Sequence, residues 1–292
     1  SQMGPDIDGE AADDRFGRSL SLNAFGDRIV IGARKNDGTG TDAGHARVFE
    51  YTNNAWSQMG PDIDGEGAGD NFGRSVSINA AGDRIAVGAN FNDGTGTDAG
   101  HVRVYEYIAA GSSWSQMGPD IDGEAAGDNS GYSISINAKG DRVAIGAPSN
   151  NGTGSGAGHV RVYEYISAAS SWSLLGSDID GEAADDDSGY SVYLNALGDR
   201  VAVGAPFNSG SGSFAGHTRV YEYVNNSWSQ LQNDIDGEAA DDSFGRSVAL
   251  NSDGDRVAIG ATSNDGNGIN SGHARVYGLK EAADGTAPLM NI

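Results

Sequence analysis

Short stretches in which aliphatic residues alternate with small or polar residues recur along the whole chain. In one copy, Val76 and Ile78 alternate with Ser75 and Ser77, as expected for a β-strand whose successive side chains face opposite sides of a sheet. The equivalent apolar pairs are Leu20 and Leu22, Ile134 and Ile136, Val192 and Leu194, and Val248 and Leu250. The pattern therefore predicts a repeated β-strand.

Each repeat contains enough signal for four strands. In the second repeat, strands A, B, C and D are predicted at residues 73–79, 84–89, 101–107 and 114–117. Strand B sets Ile85 and Val87 against Ala86 and Gly88, so one face of the sheet is bulky and the other is small. Sheets stacked around a ring need this contrast, because the large face of one blade must fit the small face of the next.

An acidic loop, Asp-Ile-Asp-Gly-Glu, opens every repeat. Its copies start at Asp6, Asp62, Asp120, Asp178 and Asp234, at spacings of 56 or 58 residues. This period is too long for a helical solenoid and suits a four-stranded propeller blade. We therefore predict an all-β fold, a five-bladed β-propeller with four-stranded antiparallel blades. It forms a single domain over residues 1–279, and a C-terminal tail occupies residues 280–292.

The two ends of the repeat array complement each other. Residues 1–5 match residues 57–61, a D strand without its own A, B and C strands. The fifth repeat runs through strand C and leaves the pattern at Gly278. We expect residues 1–5 to pair into the last blade as its outer strand, so that the ring closes non-covalently and two sheet edges are hidden.

Charge and cysteine content exclude several kinds of partner and several kinds of site. The 41 acidic and 18 basic residues give a net charge of −23, which repels nucleic-acid phosphates and anionic membranes. Suitable partners are cations, basic or neutral surfaces, and sugars. The absence of cysteine excludes a disulfide framework, a thiol nucleophile and a cysteine zinc site. No apolar run is long enough to predict membrane insertion.

The acidic loops are candidate calcium sites. Carboxylates two residues apart, with a glycine between and a later aspartate, can wrap a cation that takes 6 to 8 oxygen ligands. The candidate ligands are Asp6, Asp8, Glu10, Asp14, Asp62, Asp64, Glu66, Asp70, Asp120, Asp122, Glu124, Asp128, Asp178, Asp180, Glu182, Asp186, Asp234, Asp236, Glu238 and Asp242. The alternative is a set of solvated turns, in which Asp70 and its equivalents accept backbone N–H groups.

Strand parity places a second set of loops beside the acidic loops. In an up-and-down blade, the D-to-A and B-to-C loops lie at the same end of the ring. The B-to-C loops are rich in glycine and carry further acids of this ligand face, namely Asp37, Asp42, Asp93, Asp98 and Asp265. We therefore expect one acidic, glycine-rich face.

Three other residue types recur once in each repeat. All five histidines, His45, His101, His159, His217 and His273, begin strand C, and we expect a ring nitrogen to close the B-to-C turn. The arginines that begin strand B, Arg28, Arg84, Arg142, Arg200 and Arg256, are interpreted as partners of the acidic turn residues. The tryptophans of strand D, Trp56, Trp114, Trp172 and Trp228, are expected to anchor the outer strand rather than to stack on a sugar.

An enzyme is not expected. Glycoside hydrolysis, which five-bladed propellers can host, needs one carboxylic acid of raised pKa facing one carboxylate base. Nearly every carboxylate here occurs in repeated copies. The residues peculiar to one repeat, Arg34, Lys35, Lys139, Tyr193 and Phe214, include no acid–base pair. The chain also lacks a recognisable nucleophile motif or phosphate loop.

The repeat resembles the FG-GAP unit of integrin alpha-chain-like β-propellers, in its bacterial form, over nearly all of the chain. The residues that carry the resemblance are Phe16-Gly17, Phe72-Gly73, Phe244-Gly245 and a later Gly-Ala or Gly-Ala-Pro in each repeat. Ser130 and Ser188 replace the phenylalanine in two repeats. The resemblance implies an extracellular propeller that binds ligands or mediates adhesion, commonly with calcium and commonly without catalysis.

One departure from the family concerns calcium. In integrin-like propellers the ion lies in the A-to-B hairpin, in a loop rich in aspartate. Here the hairpin is shortened to residues 79–84, in which Asp83 is the one remaining acid. The family's hairpin sites are therefore not carried over to this chain.

These observations favour a secreted or cell-surface binding module, expected to be a monomer, whose acidic face takes a protein or carbohydrate ligand and which uses calcium if it uses a metal. One alternative is a lectin-like carbohydrate-binding propeller. The other is a structural spacer domain of a larger surface protein.

Overall fold

The computed structural model describes residues 2–279, which form five antiparallel β-sheets. The sheets are the blades of a propeller, so the predicted all-β, five-bladed fold is confirmed. A single short 3-10 helix, Ala109–Gly111, occurs in this part of the chain. The predicted tail, residues 280–292, lies outside the described residues.

The first two blades have the same strand plan. The first comprises β1 (Ser19–Leu22), β2 (Arg28–Ala33), β3 (His45–Thr52), β4 (Ala55–Gln58) and β5 (Ile63–Asp64). The second comprises β6 (Ser75–Ile78), β7 (Arg84–Ala89), β8 (His101–Ile108), β9 (Ser113–Gln116) and β10 (Ile121–Asp122). In each, four strands form an antiparallel meander, and a fifth strand of two residues pairs with the start of the third.

The next two blades repeat this plan and the last blade shortens it. The third has β11 (Ser133–Ile136), β12 (Arg142–Ala147), β13 (His159–Ile166), β14 (Ser171–Leu174) and β15 (Ile179–Asp180). The fourth has β16 (Ser191–Leu194), β17 (Arg200–Ala205), β18 (His217–Val224), β19 (Ser227–Gln230) and β20 (Ile235–Asp236). The fifth has β21 (Phe244–Leu250), β22 (Arg256–Ala261) and β23 (His273–Gly278).

The core is divided among the interfaces between successive blades. At the first interface, Val30 and Val48 on the small face of the first blade pack against Val76, Ile78 and Ile85 on the large face of the second. Equivalent clusters fill the next three interfaces. The predicted fit of a bulky face against a small one is thus the packing that holds these blades together.

Glycine permits this close approach. A Cβ on Gly88 would clash with the carbonyl oxygen of Gly131 in the next blade. The hydroxyl of Ser75, from the strand beside Gly88, donates to the same oxygen at 2.7 Å. Equivalent serine-to-glycine hydrogen bonds link the other three pairs of packed blades.

The A-to-B turns are held by asparagine. Asn79 Oδ1 accepts from the backbone N–H groups of Asp83 and Arg84, both at 3.0 Å, while Asn79 Nδ2 donates to Asp83 Oδ1 at 2.8 Å. The one acid of the short hairpin is therefore used to hold its own turn. Arg84 Nε and Nη2 donate to Glu106 Oε1 at 3.0 and 2.6 Å.

That ion pair corrects one expectation. In the first four blades the arginines that begin strand B bind the glutamate of strand C in the same blade, as in Arg28–Glu50, Arg142–Glu164 and Arg200–Glu222, rather than the acidic turn residues. In the fifth blade Gly278 takes the place of that glutamate, and Arg256 Nη1 lies 3.6 Å from Oδ1 of the turn residue Asp255. Strand register decides the partner, because Arg84 lies directly opposite Glu106 on neighbouring strands.

The tryptophans anchor the outer strands, as predicted. Trp114 Nε1 donates to the carbonyl oxygen of Met59, the residue that follows β4 of the preceding blade, at 2.7 Å. Its ring lies 5.2 Å from that of Tyr107. The same indole bond recurs from Trp56, Trp172 and Trp228. Trp114, Trp172 and Trp228 thus tie the edges of two blades together, whereas Trp56 binds the N-terminal segment.

The seam between the fifth and first blades differs from the four packed interfaces. Val276 of β23 is 69% exposed, whereas its equivalent Val104 is 1% exposed. On the other side of the seam, Leu20 is 59% exposed, whereas its equivalent Val76 is 8% exposed. The small face of the fifth blade and the large face of the first are therefore open to solvent.

The N-terminal segment lies beside the first blade. Met3 O accepts from Trp56 Nε1 at 2.9 Å, just as Met59 O accepts from Trp114. Within residues 2–279 the fifth sheet has three strands, and residues 2–5 form no strand. Closure of the ring by pairing of residues 1–5 with the last blade therefore stays a prediction.

Candidate binding face and metal-ligating groups

The acidic loops and the B-to-C loops are in contact, which agrees with the strand-parity argument. The second to fifth acidic loops first pair with the start of strand C of the preceding blade, with Asp64 opposite His45. Each then meets the B-to-C loop of that blade, where Thr39 Oγ1 donates to Gly65 O at 2.7 Å. Thr95 and Thr153 repeat this bond in the next two blades. The two loop types therefore form one continuous surface.

The last aspartate of each acidic loop is an internal acceptor. Asp128 is 1% exposed, and its Oδ2 accepts from the backbone N–H of Ala125 and from Asn150 Nδ2, both at 3.0 Å. Asp14, Asp70, Asp186 and Asp242 make the same two hydrogen bonds. This geometry is that of the turn interpretation, in which the carboxylate holds the loop.

The other acids of the loops are brought together in an arrangement that crosses from one repeat to the next. Glu66 from one loop, His101 from strand C and Asp120 from the next loop place ligand atoms within 4.8 Å of one another. The equivalent groups are Glu10, His45 and Asp62; Glu124, His159 and Asp178; and Glu182, His217 and Asp234. Within residues 2–279, the second aspartate of each loop belongs to none of these groups.

An arginine of strand C joins every group. Arg103 Nε and Nη2 donate to Asp120 Oδ1 and Oδ2 at 2.9 and 3.0 Å, and Nη2 also contacts Glu66 Oε1. Arg47, Arg161, Arg219 and Arg275 contact the equivalent glutamates. Each group therefore contains a cation supplied by the chain itself.

The charges of the group follow from these contacts. Burial works to raise the pKa of Asp120, but the hydrogen bonds from Arg103 and Gln116 outweigh it and hold this pKa below its usual value. Burial lowers the pKa of His101, and nearby Arg103 lowers it further, so the imidazole is neutral at pH 7. His45, His159 and His217 have lowered pKa values, with burial again the largest cause.

The histidines therefore differ from the expected turn-closing role. His101 Nδ1 faces the carboxylates, 3.6 Å from Asp120 Oδ2, and its ring packs edge-on against Phe72 at 6.4 Å. Nε2 of His45 and of His217 is buried without a hydrogen-bond partner among the described residues. Their position on strand C, next to the paired acidic loop, turns them toward the acids rather than toward the B-to-C turn.

These groups fit calcium poorly. Calcium takes oxygen ligands, whereas each group offers one imidazole nitrogen and two carboxylates. Zinc accepts that donor set. In either case the guanidinium competes for the same carboxylate oxygens. In the second, third and fourth loops the predicted calcium ligands thus divide into an internal acceptor, two members of the Glu–His–Asp groups and a separate second aspartate. Asp6 of the first loop and Glu238 of the fifth belong to none of the four groups. Calcium at these loops stays a prediction.

The acids of the B-to-C loops also have internal partners. Asp37 Oδ1 and Asp93 Oδ1 accept from the backbone N–H groups of Asp42 and Asp98, at 2.8 and 2.9 Å. Asp265 Oδ1 accepts from Asn270 N at 2.7 Å, and Asp42 Oδ2 binds Lys35 Nζ at 2.8 Å. The carboxylates of Asp37, Asp93 and Asp265 therefore hold the conformation of their own loops.

Sequence patterns missed the arginines of strand C. Arg103 has its position in every repeat, two residues after the histidine, and it is only 8% exposed. These arginines could have been recognised from the sequence, because each is a charged residue at a regular position among mostly apolar neighbours. The partners of Arg103 could not be identified, because Glu66 and Asp120 belong to two different repeats.

A comparison with protein-family models matches the FG-GAP repeat to residues 7–49, 63–105 and 235–277. The matched ranges contain Phe16, Phe72 and Phe244, and the two repeats between them carry Ser130 and Ser188 instead. Together with the five blades, these matches identify the chain as an FG-GAP repeat β-propeller. Propellers of this kind are binding or structural modules.

Solved structures resemble the fold at low sequence identity. Hydrazine synthase from Kuenenia stuttgartiensis matches with a TM-score of 0.58 and 10% identity, over 94% of this chain and 67% of that chain. A putative 6-phosphogluconolactonase from Bacteroides uniformis matches at 0.56 and 12%, over 87% and 69%. The periplasmic gluconolactonase of Pseudomonas aeruginosa matches at 0.54 and 14%, over 82% and 64%. These likenesses concern the fold alone.

One further comparison and one structural criterion gave negative results. The search of curated proteins found no match to this chain. Within residues 2–279, no helix has both the length and the hydropathy needed to cross a membrane.

Proposed function

We propose that this propeller is an extracellular binding or adhesion module without catalytic activity, whose acidic, glycine-rich face takes a protein or carbohydrate ligand. The observation that carries the proposal is the repeated pairing of an acidic loop with a B-to-C loop, blade after blade, on one surface. A ligand with regularly spaced groups could contact several such subsites, and the weak contacts would add through multivalency. Secretion or surface display is supported by the resemblance to integrin-like propellers.

The network of the face supports binding rather than catalysis. A catalytic pair needs two carboxyl groups whose surroundings separate their pKa values at one place. Here equivalent acids meet equivalent arginines in blade after blade, as Glu66 and Asp120 meet Arg103. The gluconolactonases named above share the fold with this chain at 14% identity or less and carry no argument for lactone hydrolysis.

The test is a binding screen with full-length protein against glycan and extracellular-protein arrays. We expect ligands that bind a monomeric protein weakly and a surface-immobilised protein more tightly, because multivalency raises avidity. Charge-reversing substitutions in the outward-facing acids, such as Asp64→Lys and Asp122→Lys, should abolish binding. A control substitution at the opposite end of the ring, Lys139→Glu, should leave it unchanged. Binding unaffected by the loop substitutions would contradict the proposal.

Metal dependence is the competing hypothesis, based on the four Glu–His–Asp groups, and we expect the following test to go against it. A metal bound only to the folded state must raise the unfolding midpoint. Because arginine already neutralises these carboxylates, we expect calcium or chelator to leave the midpoint and the ligand binding unchanged. A calcium-dependent rise would instead establish the loop sites. Glycan binding lost in chelator would select the lectin-like alternative, and the absence of any ligand would favour a structural spacer.

A further inference from the structure

The arginines of this acidic chain fall into two groups. Those of strands B and C form ion pairs with carboxylates, including Arg28, Arg47 and Arg103. Within residues 2–279, five others form no ion pair, and they are Arg15, Arg18, Arg34, Arg74 and Arg246. Unpaired arginines are unexpected in a protein of net charge −23, where acids are abundant.

Three of these arginines, Arg18, Arg74 and Arg246, lie at the mouth of the central channel, on the end that carries the acidic loops, and Arg15 and Arg34 lie near them. Arg18 and Arg74 line a cavity of about 410 Å³ there. The pKa of Arg34 is lowered, and burial is the largest cause. The positive charges of the nearby Arg74, Arg18 and Arg15 lower this pKa further. The chain thus holds a local positive site inside an acidic face.

Aromatic side chains form the other half of the mouth. The residue after the glycine of the FG position is arginine in the first, second and fifth repeats and tyrosine in the third and fourth, at Tyr132 and Tyr190. Both tyrosines line the same cavity as Arg18 and Arg74. The two tyrosine rings lie 5.0 Å apart. This difference between repeats gives an otherwise repetitive surface one asymmetric opening.

The arginines and tyrosines are preorganised by stacking. The guanidinium carbon of Arg74 lies 4.0 Å from the centre of the Tyr132 ring, and that of Arg246 lies 5.0 Å from the Tyr190 ring. Stacking uses the flat face of a guanidinium and leaves its N–H edge free for a planar anion such as a carboxylate. Arg34 Nη1 is held by Asn71 Oδ1 at 2.8 Å, while its buried Nε has no partner among the described residues.

We propose that this channel mouth binds a small sugar acid, with the guanidinium groups of Arg18 and Arg74 on the carboxylate and Tyr190 against the sugar ring. The volume lies in the range of small-molecule sites. The positive half recognises the carboxylate, and the tyrosines offer ring faces with hydroxyl groups for the sugar. The surrounding acidic loops repel long polyanions, so the ligand is a uronate monosaccharide or disaccharide.

This inference rests on the proposed binding role and adds a ligand class, but it uses residues outside the acidic loops. The full chain would be titrated calorimetrically with glucuronate and a glucuronate-containing disaccharide, and with glucose and the matched neutral disaccharide. We expect the neutral sugars to bind at least about tenfold more weakly, because each leaves the arginines without their anion. Equal affinities would overturn the proposal.

Variants locate the site. Arg18→Gln and Arg74→Gln are expected to weaken uronate binding at least about tenfold each. Tyr190→Leu should weaken the disaccharide more than about threefold, whereas Tyr190→Phe should retain most of the affinity. Arg256→Gln removes the same charge from an exposed side chain at the other end of the channel and should change nothing. Unchanged melting curves would show that the variants are folded, and uronate binding that survives Arg18→Gln and Arg74→Gln would refute the assignment.

Two further probes distinguish the chemistry. Inorganic phosphate and a glutamate dipeptide are expected to bind more weakly than the uronate. Tighter binding of either, lost in Arg74→Gln, would overturn the sugar class. If no uronate binds while another ligand depends on the acidic loops, this inference fails and the proposed function stands.

Discussion

The packing of one blade on the next can be tested with a single added methyl group. Gly146 lies on the small face of the third blade, and a Cβ there would lie 3.0 Å from the carbonyl carbon of Gly189 in the fourth blade and closer still to its oxygen. Gly260 is the equivalent residue of the fifth blade. Its added Cβ would meet only Ser247 of its own sheet, at 2.5 Å from the hydroxyl, which can rotate away. Gly146→Ala and Gly260→Ala are therefore a matched pair.

The expected magnitude follows from these distances. Non-bonded heavy atoms in contact prefer about 3.5–4.0 Å, and the carbonyl oxygen lies closer to the added Cβ than the carbonyl carbon does, so Gly146→Ala must move the blades apart by at least about 1 Å. Overpacking of this kind costs about 1–3 kcal/mol. The shift also breaks the 2.7 Å hydrogen bond from Ser133 Oγ to Gly189 O, worth about 0.5–1.5 kcal/mol. The sum is roughly 1.5–4.5 kcal/mol of unfolding free energy. Alanine also restricts the unfolded chain in both variants, which stabilises each by about 0.4–1 kcal/mol. This gain reduces the net loss for Gly146→Ala to roughly 0.5–4 kcal/mol and offsets the rotation of Ser247 in Gly260→Ala, which should be near neutral.

The assay is urea or thermal unfolding of the two variants beside the unmodified protein. At roughly 2–4 °C per kcal/mol for a chain of this size class, a 3 kcal/mol loss lowers the midpoint by about 6–12 °C for Gly146→Ala. Gly260→Ala should stay within about 2 °C. An equal loss in the two variants would refute the reasoning, because it would mean that the small face of the fifth blade is packed in solution like the others.

Other substitutions probe the loops. Asp128→Ala removes a buried acceptor from Ala125 N and Asn150 Nδ2 and should cost about 2–4 kcal/mol of unfolding free energy. Its control, Asp253→Ala, alters an exposed side chain and should cost under about 0.5 kcal/mol. Similar unfolding free energies for the two variants would contradict the internal role of Asp128. Burial, then Asp185 and Asp186, raise the pKa of Asp187 to about 6. Stability is therefore lost as pH rises from about 4, the ordinary pKa of an aspartate, to about 6, and the loss is complete above about pH 6. Asp187→Asn should therefore raise the melting temperature at pH 7.5. This advantage should disappear below about pH 4, where Asp187 is protonated in both the folded and the unfolded state. A difference in melting temperature that does not depend on pH would contradict the raised pKa of Asp187.

The raised pKa of Asp187 has a local origin in the repeat. In the first two blades, Arg34 and Asn90 donate to the equivalent residues Asn71 and Asn129 of the next blade. Pro148 occupies that position in the third blade and has no side-chain donor. Asp187 is thus half-buried without the donor that Asn71 and Asn129 receive.

The sequence alone determined the repeat, the strands and the blade architecture. The alternation of apolar residues such as Val76 and Ile78 shows which face of the sheet each side chain occupies. The contrast between these bulky residues and the small Gly88 on the opposite face predicted how the blades pack. The anchoring role of Trp114 was also accessible, because an indole N–H at a regular strand position needs an acceptor. Such inferences depend on local periodicity and on equivalence between repeats.

Only the tertiary structure decided the partners of the charged groups. Glu66, His101, Arg103 and Asp120 meet because an acidic loop pairs with strand C of one blade before entering the next. Repeat spacing cannot specify that path, since contacts between blades depend on how the ring is wound. For the same reason the structure gathered Arg18, Arg74, Tyr132 and Tyr190, which lie 56 to 58 residues apart in successive repeats, around one opening. Equivalent positions of successive repeats become neighbours at the axis of a propeller. A change from arginine to tyrosine between repeats therefore places different side chains around one opening.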